Sequence, residues 1–241
     1  LHAGLAIPMW LGAYLGGFDI GGPFGGLHTL TALNSAGGGQ WSAMLPGLDV
    51  LIGCGWGVEE KTKPGQGENF VPGNIYIAEP DIEKISIENG GKYVVVQRTP
   101  GRFGTRVLEK AADQAVARDA RLFGFFGVAD SDKFDNGHLP FASADGDFQP
   151  AECVAGDPHY TVGDITENPT LADMTRAAIK VLHRGNHPFW LMVEPGDVDW
   201  ANHANNIDAS IGAVNSGDAA VKAVTDWVEA NSNWNESVII V

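Results

Sequence analysis

The run FWLMV at residues 189–193 constrains the fold of this chain more than any other segment. Five bulky apolar residues follow Pro188 without a polar break. An unbroken apolar run of this length is typical of a strand that is buried on both faces. Such strands belong to parallel sheets whose faces are covered by helices. The segment therefore predicts an α/β fold in which this strand lies inside the sheet.

Further apolar runs predict strands of the same kind at residues 48–53, 93–97, 122–126 and 237–241. Between the later runs, apolar side chains recur at helical spacing in residues 105–117, in residues 171–182 and after Ser216. Strands that alternate with helices imply parallel βαβ units with right-handed crossovers. We therefore expect a mostly parallel central sheet with helices on both faces.

Two helix starts can be read from the sequence. Thr170 and Asp173 have the spacing of an N-terminal capping pair. The helix that they begin carries one apolar stripe, made of Leu171, Met174, Ala178, Val181 and Leu182. We expect this stripe to pack against the strand at 189–193. Ser216 is expected to cap the next helix, with Val221, Val224 and Val228 on its buried face.

Composition limits the class of protein and its partners. We expect residues 1–241 to form a single α/β domain, in which the glycine-rich residues 1–45 receive no assigned elements. The 30 acidic residues outnumber the 15 lysines and arginines, which gives a formal charge of −15. This charge argues against nucleic acids and anionic membranes as partners. Residues 3–18 lack charge, but Pro8 and four glycines leave them too short and too broken for a transmembrane helix.

The two cysteines, Cys54 and Cys153, allow one disulfide or two free thiols. Cys54 lies at the end of a predicted strand, and Cys153 lies in a polar loop. The sequence is compatible with both states.

Metal-type ligands follow the strand at 189–193. Glu194 ends the run, Asp199 comes five residues later, and His203 comes four residues after that. In an open α/β sheet, functional groups collect at the carboxyl ends of strands. If a helical turn joins Asp199 to His203, their spacing places both side chains on one face. Aspartate and histidine are zinc ligands, and a carboxylate such as Glu194 suits magnesium. A solvated loop acid is the alternative for each carboxylate, but three such residues close together favour a metal site.

The segment LMVEPGDVDWANH resembles the alkaline phosphatase family, whose bacterial branch carries the motif VE-x-G-x-VDW-x-x-H. The resemblance extends to residues 48–56, 136–150, 167–182 and 216–241, so it covers roughly residues 46–241. It implies the three-layer sandwich of this family. Residue by residue, Glu194 matches the magnesium ligand, and Asp199 and His203 match two ligands of one zinc ion.

The resemblance also implies an activity. Alkaline phosphatases hydrolyse phosphate monoesters at alkaline pH through a phosphoserine intermediate, with two zinc ions and one magnesium ion in the intact enzyme. The implied substrates are small-molecule phosphate monoesters, and the implied location is periplasmic or secreted. A homodimer is left open, and neither membrane insertion nor nucleic-acid binding is expected.

Other parts of the family's active site have no match in this sequence. The nucleophilic serine of the family follows an aspartate, and no Asp-Ser pair occurs in residues 1–47. The pair Asp130–Ser131 lies in the wrong place along the chain and reads as a loop. No arginine that could bind phosphate precedes Lys61, and the second zinc motif would begin after Val241. The nucleophile and the phosphate-binding arginine are therefore unassigned, and we expect an internal piece of an alkaline phosphatase.

Two alternative functions stay open at this point. One is a sister phosphodiesterase or sulfatase of the same superfamily, although the sequence DVDWANH matches the monoesterase branch. The other is a non-catalytic, acidic metal-binding homologue or fragment, which the unmatched serine and arginine would favour.

Overall fold

A computed structural model describes residues 2–10, 48–54, 58–60, 63–64, 79–127, 162–203, 205 and 207–241. Its strands are β1 (His2–Trp10), β2 (Val50–Cys54), β3 (Val58–Glu60), β4 (Lys63–Pro64), β5 (Tyr93–Gln97), β6 (Arg121–Phe126) and β7 (Phe189–Val193). Its helices are α1 (Glu79–Ile85), α2 (Gly104–Ala117), α3 (Val162–Thr166), α4 (Leu171–Leu182), α5 (Asp197–His203) and α6 (Ile207–Asn231). Short 3-10 turns span Ile87–Asn89 and Arg184–Asn186.

Five of these strands form one sheet in the order β5-β6-β2-β1-β7, and every neighbouring pair is parallel. Strands β3 and β4 form a separate antiparallel pair. Because the large sheet is all-parallel, the carboxyl ends of its strands meet at one edge. This carboxyl edge is where an α/β fold gathers its functional groups.

The core lies on both sides of β2 and β6. Consecutive side chains of β2 at Val50, Leu51 and Ile52 are fully buried, although they point to opposite faces of the sheet. Phe123 and Phe126 of β6 are buried in the same way. An apolar sequence without alternation is what two covered faces require. The predicted α/β class with a parallel sheet is confirmed.

Helices α2 and α4 pack together against one face of this sheet, and α6 packs against α4. The predicted stripe of α4 is confirmed, since all of its members are buried and the helix contacts β1, β2 and β7. The predicted capping pair is confirmed as well. The backbone N–H of Asp173 donates to the Thr170 hydroxyl over 3.2 Å, and the N–H of Thr170 donates to the Asp173 carboxylate over 3.1 Å. No helix within the described ranges combines the length and the apolar character that a membrane crossing requires.

The position of β7 differs from the prediction. Within the described part of the chain it is an edge strand, paired with β1 on one side, and Trp190 is 54% exposed. An apolar run indicates buried faces, but it does not reveal whether a strand has one neighbour or two. The predicted strand at 237–241 is wrong too. This segment has no ladder partner among the described residues, and Val238, Ile240 and Val241 are exposed.

Two other predictions need correction. Strand β1 lies within residues 1–45, for which no element was predicted, because its glycine and proline weaken the strand pattern. Ser216 is not a cap, since α6 begins nine residues before it and runs through it. The apolar side chains Ile207 and Ile211 extend the helical pattern upstream and are exposed. Of the predicted buried face of α6, Val228 is buried, while Val221 and Val224 are half-buried.

Candidate metal centre

Glu194 leaves the sheet directly after β7, at the carboxyl edge. In the neighbouring strand, Ala6 lies opposite Val193, and β1 continues to Trp10. The backbone of Glu194 therefore lies beside a strand that extends past it. Its side chain is half-buried.

A tight turn joins β7 to α5 and brings Asp199 back towards Glu194. The N–H of Val198 donates to the carbonyl of Pro195, and the N–H of Asp199 donates to the carbonyl of Gly196, each over 3.1 Å. Helix α5 thus begins three residues after Glu194, at Asp197. The helical turn predicted between Asp199 and His203 is confirmed by this helix.

The two carboxylates interact electrostatically. Burial raises the pKa of Glu194 above its ordinary value, and the negative charge of Asp199 raises that pKa further. Asp199 itself is exposed. Two anionic oxygen donors that repel each other at the edge of a sheet match the chemistry of a divalent cation, which would relieve both the repulsion and the cost of burial.

The third predicted ligand, His203, is the last residue of α5. Its side chain lies outside the described part of the structure. Among described residues, no third histidine, cysteine, aspartate or glutamate joins Glu194 and Asp199. The assignment of Asp199 and His203 to one zinc ion, and of Glu194 to magnesium, therefore stays a prediction.

The raised pKa of Glu194 predicts how the metal-free protein responds to pH. The unfolded carboxyl has an ordinary pKa of about 4.3, so the folded state binds its proton more tightly than the unfolded state does. The stabilisation that comes from this tighter proton binding is fully present below the pKa that Glu194 has in the unfolded protein. It is lost as the pH rises through the pKa of Glu194 in the folded protein. Since glutamine cannot ionise, Glu194→Gln should raise the melting temperature at neutral pH in a chelator, and the gain should vanish near pH 4.

Thermal unfolding in EDTA at both pH values checks this prediction. Glu229→Gln, at an exposed position of α6, is the matched control and should change the free energy of unfolding by less than about 0.5 kcal/mol. A Glu194→Gln variant that is no more stable than the wild type at neutral pH would contradict the prediction.

A second charged cluster, centred on Arg98, lies at the same edge of the sheet. Arg98 directly follows β5 and is 7% exposed. Its Nη2 lies 2.8 Å from Glu167 Oε2 and 2.9 Å from Asp164 Oδ1, and its Nη1 donates to the carbonyl of Gly127 over 3.1 Å. These bonds tie α3 to the ends of β5 and β6. Asn168 adds to this tie, because its Oδ1 accepts from the N–H of Gly127 over 2.8 Å.

The Arg98 cluster is distinct from the metal centre. Four strand spacings separate β5 from β7, which is about 19 Å across the sheet. Sequence analysis missed this cluster, although its signal resembles that of Glu194: a charged residue directly after an apolar strand. The two carboxylate partners of Arg98 come more than 60 residues later, and no local pattern connects them to it.

Several other predictions fall outside the described residues. Asp130, Ser131 and Cys153 are among them, as is the side chain of Cys54. The choice between a disulfide and free thiols therefore stays open.

Sequence comparisons find alkaline phosphatases among the proteins that are similar to this chain. Over 83 residues the chain is 36% identical to a membrane-bound alkaline phosphatase of Bombyx mori, which covers 34% of this chain and 14% of that protein. Over 65 residues it is 37% identical to alkaline phosphatase 3 of Bacillus subtilis (strain 168), which covers 27% of this chain and 14% of that protein. Each match thus spans only a small part of the relative's own length.

The fold is shared more widely than the sequence. The crystal structure of a cold-active alkaline phosphatase from a psychrophilic Shewanella species superposes with a TM-score of 0.50 at 15% identity. The superposition covers 95% of this chain and 41% of that enzyme. A family model described as alkaline phosphatase matches residues 151–241. Residues 151–241, which include Glu194, Asp199 and His203, are therefore the part of this chain that is similar to the alkaline phosphatase family.

Proposed function

We propose that the protein is a metal-dependent phosphatase that hydrolyses phosphate monoesters at alkaline pH through a phosphoserine intermediate. The observation that carries this proposal is the interacting pair Glu194 and Asp199, which lies at the carboxyl edge of a parallel sheet. The pair falls inside the segment that matches the alkaline phosphatase family. Small-molecule phosphate monoesters are the proposed substrates, and the periplasm or the extracellular medium is the proposed location.

The residues of this chain have a defined share in that function. Asp199 and His203 would hold one zinc ion, and Glu194 would hold magnesium. The bound cations supply positive charge that stabilises the phosphoryl group as it is transferred. The tight turn at Pro195 and Gly196 fixes the spacing between Glu194 and Asp199. No residue of this sequence is assigned as the nucleophilic serine or as the phosphate-binding arginine.

The charge of the protein supports a role for bound cations. At a formal charge of −15, the chain repels a phosphate ester at long range. A phosphatase of this composition needs a local source of positive charge at its site. Divalent cations held between Glu194, Asp199 and His203 would reverse the local potential.

The test is turnover by the full-length protein encoded by the complete gene. We expect it to hydrolyse p-nitrophenyl phosphate at alkaline pH, to lose this activity in EDTA, and to regain it with zinc and magnesium. The 241-residue chain alone should hydrolyse the ester negligibly, because it carries no assigned nucleophile. Faster hydrolysis of bis(p-nitrophenyl) phosphate or of p-nitrophenyl sulfate would point to a sister hydrolase. Absence of turnover in the full-length protein, with metal binding retained, would support a non-catalytic metal-binding homologue.

A further inference from the structure

Helix α6 passes unusually close to the turn that separates Glu194 from Asp199. The close approach occurs at Gly217, near the middle of the helix. A Cβ atom added to Gly217 would lie 3.0 Å from Cγ and 3.1 Å from Cβ of Pro195. Ordinary van der Waals contacts of a Cβ begin at 3.4 Å, so a larger residue would have to displace the proline.

Small buried residues lie on both sides of Gly217 in α6. Ala213 lies one turn before Gly217 and Ala220 lies one turn after it, and each is 2% exposed. Ala201 of the contacting helix α5 is equally buried. The interface between α5 and α6 is therefore closely packed, and α6 has little freedom to move away from the turn.

We propose that Gly217 is a positioning residue for the metal centre, because its missing side chain lets α6 press on Pro195 and fix the separation of Glu194 and Asp199. This inference rests on the proposed function, since it assigns Gly217 a role toward the same ligands. Gly217 touches neither metal nor substrate. It acts through Pro195.

The chemistry of Pro195 makes this contact effective. The pyrrolidine ring fixes φ of Pro195, so a push on the ring passes to the flanking backbone of Glu194 and Gly196. Metal–ligand distances tolerate changes of about 0.2 Å, which is comparable to the few tenths of an ångström that an added Cβ would demand. A glycine inside a helix also costs about 1 kcal/mol of stability relative to alanine. The close approach to Pro195 gives a physical reason for glycine at this position.

The test compares Gly217→Ala and Gly217→Val with the matched control Ala219→Val, at an exposed position of the same helix. Zinc and magnesium affinities of the full-length protein are measured by titration against a competing chelator. The melting temperature of the metal-free protein is measured alongside. We expect metal affinity to fall by roughly 10-fold in Gly217→Ala and further in Gly217→Val, as for other residues that support metal ligands. The metal-free melting temperature of Gly217→Ala should change little, because the better helix propensity of alanine offsets the cost of displacing Pro195.

A second variant isolates the contact itself. Adding Pro195→Ala to Gly217→Ala removes the Cγ atom that the new methyl group meets, and should recover part of the lost affinity. Unchanged metal affinity in both Gly217 variants would overturn the inference, and so would an equal loss in Ala219→Val. Asp199→Ala tests the proposed function separately. If Asp199→Ala binds metal as the wild type does, the metal centre itself is misassigned; if it loses metal while the Gly217 variants keep theirs, the positioning role alone fails.

Discussion

Asp199→Ala should lower the zinc affinity of the full-length protein by at least roughly 100-fold, since even residues that only support metal ligands contribute 10–100-fold. The substitution removes a donor oxygen and the negative charge that compensates the cation. His203→Ala removes a neutral donor and should weaken zinc binding less. Glu194→Gln should spare zinc and weaken magnesium dependence.

Metal content by mass spectrometry on the three variants checks this order. Asn202→Ala is the matched control, because Asn202 is an exposed residue of the same helix. It should retain both metals. Equal zinc loss in all three variants, or full zinc retention in His203→Ala, would contradict the assignment of roles.

Arg98→Ala should lower the free energy of unfolding by about 3–5 kcal/mol. The side chains of Asp164 and Glu167 are both 13% exposed and share this single guanidinium. Its removal takes away a cation that both carboxylates contact in a place that water barely reaches, and the carbonyl of Gly127 loses a donor as well. Truncation of one partner in a buried ion cluster costs far more than the intact pair contributes, because the remaining charges stay desolvated.

Arg118→Ala is the matched control, because Arg118 pairs with Glu88 in a bridge whose side chains are 51% and 72% exposed. A surface pair contributes about 0–1 kcal/mol. Chemical denaturation of both variants, with the slope compared to wild type, gives the two values. Similar losses in the two variants would show that water reaches the Arg98 cluster. If only Arg98→Ala lowers the free energy of unfolding, replacing Asp164 by asparagine and Glu167 by glutamine in that variant should restore part of the lost stability.

Local signals in the sequence were sufficient for several elements of the sheet and its helices. The strand at 189–193 and the strand at 93–97 were predicted with the bounds that the structure shows. The start of α4 followed from Thr170 and Asp173 because a capping pair is a contact within one turn of helix. Each of these features depends on residues that are close together in sequence.

Features that depend on distant residues were not predictable in this way. The edge position of β7 depends on which strands pair with it, and its partner β1 comes from the other end of the chain. The segment at 237–241 has a strand-like composition but no described partner, and composition alone does not make a ladder. In the metal centre, the spacing of Glu194, Asp199 and His203 indicated the ligands. The contact of Gly217 with Pro195 was hidden because an inward-facing glycine has no sequence pattern of its own.

The pairing of β1 with both β2 and β7 has a consequence for biosynthesis. β1 is made long before β7, and at 5–20 residues per second the wait between them is roughly 10–40 s. During this interval one side of β1 has no ladder partner, and an unpaired strand edge is a template for association with other chains. Glu194 reaches its place only when β7 has docked, so metal loading is expected as a late event in maturation. A nascent chain stalled before residue 189 should accordingly depend on chaperones and bind no zinc at this site.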